Sequence, residues 1–130
     1  MNKIPKWVIG YAIFLLLLSF GAGFTAMVAP ASLFTGSGID FAPIQGIMMM
    51  FGGRNVAFGV IAIMALNSRN PHYLLALYAG RFVVELFDLY AAMALGLTML
   101  PAGVVLLIWL PLFLLPEGLA IVTLRRLVKG

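Results

Sequence analysis

Five ionisable side chains stand inside stretches that are otherwise apolar: Arg54, Arg81, Glu85, Asp88 and Glu117. A charge at mid-bilayer costs at least about 2.5–3.5 kcal/mol, so such groups turn toward protein or water and seek partners. Two guanidiniums and three carboxylates offer a definite chemistry. The carboxylates can take or give a proton, and arginine's planar fork can hold two oxygens at once or steady a developing negative charge. Glu85 and Asp88 are therefore the candidate catalytic groups, for proton transfer or water activation. Arg54, Asn55, Tyr78, Arg81 and Glu117 are the candidate ligand-binding residues. The same charges could also form a polar lock that fixes helix register, as buried ionic groups sometimes do.

Other chemistries find no support. Cysteine is absent, which removes disulfides, thiolate ligands and thiol redox reactions. There is no glycine-rich phosphate loop and no histidine spacing suited to a metal, so no metal site is expected. Met48-Met49-Met50 reads as adaptable packing, because thioethers alone are poor ligands for most metals. His72 lies beside a turn, where it cannot serve a serine nucleophile buried in an apolar run. The residues themselves name no cofactor.

The elements that carry these side chains follow from periodicity. At about 100° per residue, positions 81, 85 and 88 fall within roughly 60° of one another, one stripe on one helix. That stripe must face the interior, with Tyr78 and Ala92 extending it; Phe82, Val83, Val84 and Phe87 cover the remaining circumference. A rise of about 1.5 Å per residue puts Arg54 and Glu85 at nearly equal depth, and Asp88 about one turn further out. Arg81 and Glu117 lie at comparable levels nearer the other end. The expected pairs are Arg54 with Glu85 or Asp88, and Arg81 with Glu117 or its i+4 neighbour Glu85.

Composition supports this reading. The chain has 130 residues, of which 64% are apolar and only 9% charged, far from the balance of a soluble domain. Spans of about 20 residues leave room for four and little else. The expected fold is all-α and membrane-integral: an antiparallel bundle of four transmembrane helices, about 7–28, 43–66, 72–97 and 102–124, in one domain. Helix 1 is too long for the apolar core of a signal peptide and reads as a retained span. Pro30 stops it, and Ser32-Leu33-Phe34 forms an interfacial turn in the first loop. Pro43 opens helix 2, Asn67 to Pro71 form a turn, and Pro101 marks a tight connection. Pro111 and Pro116 free the carbonyls of Leu107 and Leu112 and bend helix 4. Gly52, Gly53 and Gly59 allow close helix approach. Trp7 and Tyr11 read as interface anchors, whereas Trp109 has no such place.

The net charge of +4 is carried at the flanks rather than in a nucleic-acid groove. Six basic residues, Lys3, Lys6, Arg69, Arg125, Arg126 and Lys129, border one side, and the other two loops have none. Both ends are therefore expected in the cytoplasm, in a bacterial inner membrane, with the lipid bilayer as the principal partner. No nucleic-acid partner is expected.

The segment Phe51-Gly52-Gly53-Arg54-Asn55-Val56-Ala57-Phe58-Gly59 resembles a motif of the DoxX-like superfamily of small four-helix membrane proteins, in which an arginine of helix 2 is followed by a glycine about five residues later. Arg81, Glu85 and Asp88 resemble that family's arginine and acid on helix 3, and the Pro30 to Phe41 loop looks like its first connection. The resemblance implies four helices around a polar-lined interior. Some relatives are associated with quinone-linked sulfur oxidation or redox complexes, which implies a lipophilic ligand or a membrane-protein partner. The leading expectation is a membrane-embedded site for a small lipophilic molecule, such as a quinone, isoprenoid or sterol-like compound. Two alternatives stand beside it: a noncatalytic subunit or assembly factor of a membrane redox complex, and a proton-coupled exporter working as a dimer, a homo-oligomer, with Glu85 as its switching carboxylate.

Overall fold

A computed structural model describes residues 3–33, 38–94 and 102–130. Helix takes up 91% of them, and there is no strand among the described residues. The order is α1 (Lys6–Val28), a short α2 (Pro30–Leu33), a 3₁₀ turn (Ala42–Ile44), α3 (Gln45–Ser68), α4 (Pro71–Ala94), α5 (Ala102–Trp109), a π-helical stretch (Leu110–Leu114) and α6 (Leu115–Lys129). The expected end of the third helix at Leu97, the Pro101 connection, and Phe34, Gly36 and Ser37 of the first loop lie outside the described residues.

Three helices are long and apolar enough to cross a membrane: Lys6–Val28, Ala42–Ser68 and Gly103–Lys129. Large apolar side chains cover their outer faces, among them Leu17, Met50 and Leu107, each more than two-thirds exposed. Faces of that kind suit lipid contact. α4 is as long, 24 residues, but carries Arg81, Glu85 and Asp88. Its inward stripe is Leu74, Leu77, Tyr78, Arg81, Glu85, Leu89 and Ala92, all buried, while Val83 and Phe87 lie exposed. The helical period thus puts Arg81 and Glu85 inside and Val83 and Phe87 outside.

Helix ends follow local chemistry. Pro5 precedes α1, and the helix closes at Val28, two residues before Pro30. Pro43 sits in the 3₁₀ turn rather than in α3 itself, so the regular helix begins at Gln45. Asn67 and Ser68 extend α3 beyond the expected Leu66; the chain leaves it through Arg69, at φ 50° in the left-handed region. Asn70 then caps α4, its side-chain oxygen accepting the His72 N–H at 2.9 Å, with Pro71 in the first turn. At the far end α6 continues past Leu124 to Lys129, because no breaker intervenes and basic residues suit a helix C-terminus.

α1 packs along α3, and α4 packs against α6 and α3. The α1–α3 approach depends on two glycines. A Cβ on Gly52 would stand 2.6 Å from the Gly23 carbonyl oxygen, and one on Gly23 would stand 2.9 Å from that of Gly52. Neither can carry a methyl group without main-chain movement. Gly59 lies under the Phe20 ring, whereas Gly53 faces open space. Two apolar clusters flank the charges on α4: one around Leu74, Leu77 and Tyr78 with Val8 and Leu124, the other around Leu89 and Ala92 with Val105 and Leu114.

Candidate functional site

Arg81 is the hub. It is buried, and its guanidinium hydrogen-bonds Glu85 Oε1 one turn along α4. Its other amino group donates to Ser19 Oγ of α1 at 3.4 Å, and Phe58 of α3 places a ring 5.6 Å from the guanidinium carbon. On the third side Arg81 Nε lies 3.7 Å from Glu117 Oε1 of α6, an ion-pair distance too long for a hydrogen bond. One guanidinium therefore serves two carboxylates. Glu117 is fully buried, and neither of its oxygens has a hydrogen-bond donor among the described residues.

The second carboxylate oxygen of Glu85 accepts the indole N–H of Trp109 at 2.9 Å. With both oxygens engaged, Glu85 leaves Arg54 to Asp88. Arg54 Nη2 donates to Asp88 Oδ1 at 3.1 Å and to Oδ2 at 3.0 Å. This pair is only partly buried, and Arg54 also lies 4.9 Å from the centre of the Phe51 ring. Of the pairings that depth left open, Arg54 takes Asp88, and Arg81 bonds Glu85 while keeping Glu117 within ion-pair reach.

The last helix brings Trp109 into place. Pro111 and Pro116 each remove a backbone donor, and between them the chain widens into π-helical turns, with the Leu115 N–H reaching back to the Leu110 carbonyl. The Leu112 carbonyl, which Pro116 leaves without its helical donor, accepts the Tyr11 hydroxyl at 2.6 Å. Tyr11, half-buried on α1, thus closes a defect in the last helix. Its ring stacks on Tyr78, with centroids 6.0 Å apart, and the Tyr78 hydroxyl donates to the Val8 carbonyl at 2.5 Å.

A cavity of about 390 Å³ opens beside the charges. Its walls are apolar, drawn from α1 (Leu18, Ala22), the stretch from Ile39 to Phe51, and the α5 and π segments (Trp109, Phe113). Asn55, Arg81, Glu85 and Asp88 form its polar end. Asn55 is buried and donates one of its two amide N–H groups to the Phe51 carbonyl of its own helix at 3.0 Å. Arg54, Tyr78 and Glu117 do not line the cavity: Arg54 stands behind Asp88, Glu117 behind Arg81, and Tyr78 in the adjoining apolar cluster.

Sequence reasoning did not name Ser19, Phe58 or Trp109 as site residues. Trp109 left a usable sign, since an indole N–H within an apolar helix requires an acceptor. Ser19 and Phe58 left none, because their roles depend on how α1 and α3 are rotated against α4.

The chain matches no protein-family model, no curated protein and no solved structure. The site therefore rests on its own geometry. Chemically, it pairs a lipophilic chamber with carboxylate acceptors and one shared guanidinium.

Proposed function

We propose that this chain is an antiparallel bundle of four membrane spans that holds a small lipophilic molecule with its polar end against Arg81, Glu85 and Asp88. The observation that carries this reading is the cavity: about 390 Å³, within the usual size of small-molecule sites, apolar along its length and charged at one end. In this reading α4 is the fourth span, its charges turned from lipid, and the protein is a DoxX-like one of a bacterial inner membrane. Glu85 or Asp88 exchanges a proton with the ligand where a reaction occurs.

Trp109 lines the cavity, and the other tryptophan, Trp7, lies at the exposed start of α1. A Trp7→Phe variant in nanodiscs therefore carries a single reporter. A long-chain alcohol brominated on its tail should quench Trp109 saturably, and Asp88→Asn should weaken that binding. Val84→Asn, off the stripe, should disturb packing instead. Quenching that only rises in proportion to membrane-dissolved alcohol would reject the site.

Topology has a separate test. Basic residues border both chain ends and the α3–α4 turn, so Ser37→Cys and Gly130→Cys should label from opposite faces of sealed vesicles. Labelling of both from outside would overturn cytoplasmic termini.

A second reading has one observation in its favour. Every carboxylate oxygen of Glu85 and Asp88 already has a partner, as a purely structural lock would require.

A further inference from the structure

The charges in the site do not balance. Arg54 and Arg81 face Asp88, Glu85 and Glu117, so the described cluster has three carboxylates for two guanidiniums. The surplus is Glu117: fully buried, without a hydrogen-bond donor among the described residues, and dependent on an arginine already bonded to Glu85. The groups at the polar end have the same bias. Arg81 is spread over Glu85, Ser19 and Glu117, and one of the two Asn55 amide N–H groups is taken by Phe51. By contrast, each oxygen of Glu85 and Asp88 accepts one protein hydrogen bond and keeps a further lone pair. The end of the cavity therefore offers carboxylate acceptors whose only counter-ions among the described residues are two guanidiniums already shared within the cluster.

We propose that the pocket selects amphiphiles with a cationic, hydrogen-bond-donating head, an ammonium on an apolar body, over neutral and anionic ones. The head meets Glu85 and Asp88, and Arg81 remains the counter-ion of Glu117. An incoming carboxylate or phosphate would face Glu85 and Asp88 across the cavity, with both guanidiniums of the cluster already paired with acids. Like charges so placed repel strongly in a dry site. The apolar walls set the second requirement, a chain or ring body long enough to reach from Glu85 toward Ile44 and Ile47.

This inference rests on the binding reading above, and one experiment separates their failures. The Trp7→Phe protein in zwitterionic nanodiscs is titrated with three amphiphiles sharing one brominated tail and ending in an ammonium, a hydroxyl or a carboxylate. Affinities are expressed against the membrane-dissolved concentration of each. The expected order is ammonium, hydroxyl, carboxylate, with the ammonium about tenfold or more tighter than the carboxylate, a modest figure for opposite against like charge at close range. Equal affinities, or a carboxylate binding tightest, would overturn the head preference while leaving a lipophile site in place. Absence of saturable quenching by all three would remove the site itself and this inference with it. In Glu117→Gln the ammonium's advantage over the hydroxyl should shrink while the hydroxyl's own affinity holds; an undiminished advantage would overturn Glu117 as its source. Should that variant fail to fold, the order of the three heads on the unaltered cluster still decides.

Discussion

Arg81→Met is expected to prevent stable folding. The substitution leaves Glu85 and Glu117 buried with their shared counter-ion gone, and removing one partner of a buried ion pair costs about 3–5 kcal/mol in soluble proteins. That is a large part of the stability of most domains of this size. The measurement is the yield of monodisperse protein in mild detergent, followed by graded unfolding in a denaturing one. Arg81→Lys should fall between the two, because it keeps the charge but loses the fork that reaches Glu85, Ser19 and Glu117 together. The triple variant Arg81→Met, Glu85→Gln, Glu117→Gln should regain much of the loss, since no unpaired charge remains. If Arg81→Met alone folds as well as the unaltered chain, the pairing described for this cluster is incorrect.

How far the residues foretold this arrangement depends on which kind of distance each feature needs. The charged stripe was legible because Arg81, Glu85 and Asp88 sit on one helix, where a fixed rotation per residue decides who shares a face. The candidate pairs were legible for a similar reason: a fixed rise gives depth, and depth limits the partners of Arg54 to Glu85 or Asp88. Choosing between those two needed Trp109, which takes Glu85 Oε2 and so directs Arg54 outward. Trp109 reaches Glu85 from a helix whose regular course gives way to π-helical turns between Pro111 and Pro116. The prolines announced a defect but not how it is satisfied, and the group that fills it, the Tyr11 hydroxyl, lies 101 residues away. The cavity was likewise beyond periodicity, because its walls come from α1, the Ile39 to Phe51 stretch, and the α5 and π segments as well as from the charged face of α4. The glycines occupy a middle position. Gly52 and Gly59 do meet α1 closely, but Gly53 does not, and only the rotation of α3 tells them apart.

Whether the cluster binds or merely locks turns on Arg54 and Asp88, the pair least enclosed by protein, of which Asp88 lines the cavity. Replacing either alone, as Arg54→Leu or Asp88→Leu, strands the other's charge and should destabilise the protein, less than Arg81→Met does because this pair is only partly buried. Replacing both removes the charge problem and adds apolar surface, so folding should recover. The two readings then part. If the pair is a lock, the double variant should bind the brominated alcohol as the unaltered chain does, since the shape of the cavity is kept and nothing the ligand touched is missing. If Asp88 receives the ligand's polar end, the double variant should fold normally yet bind about tenfold to a hundredfold more weakly, the usual worth of a hydrogen bond to a charged group. Asp88→Asn supplies the control, because it keeps the size of the side chain and one acceptor oxygen while removing the charge. Its affinity should fall between the two, and more so for an ammonium head than for a hydroxyl. A double variant that folds and binds without loss would leave Arg54 and Asp88 as structural residues, and confine any ligand chemistry to Arg81 and Glu85.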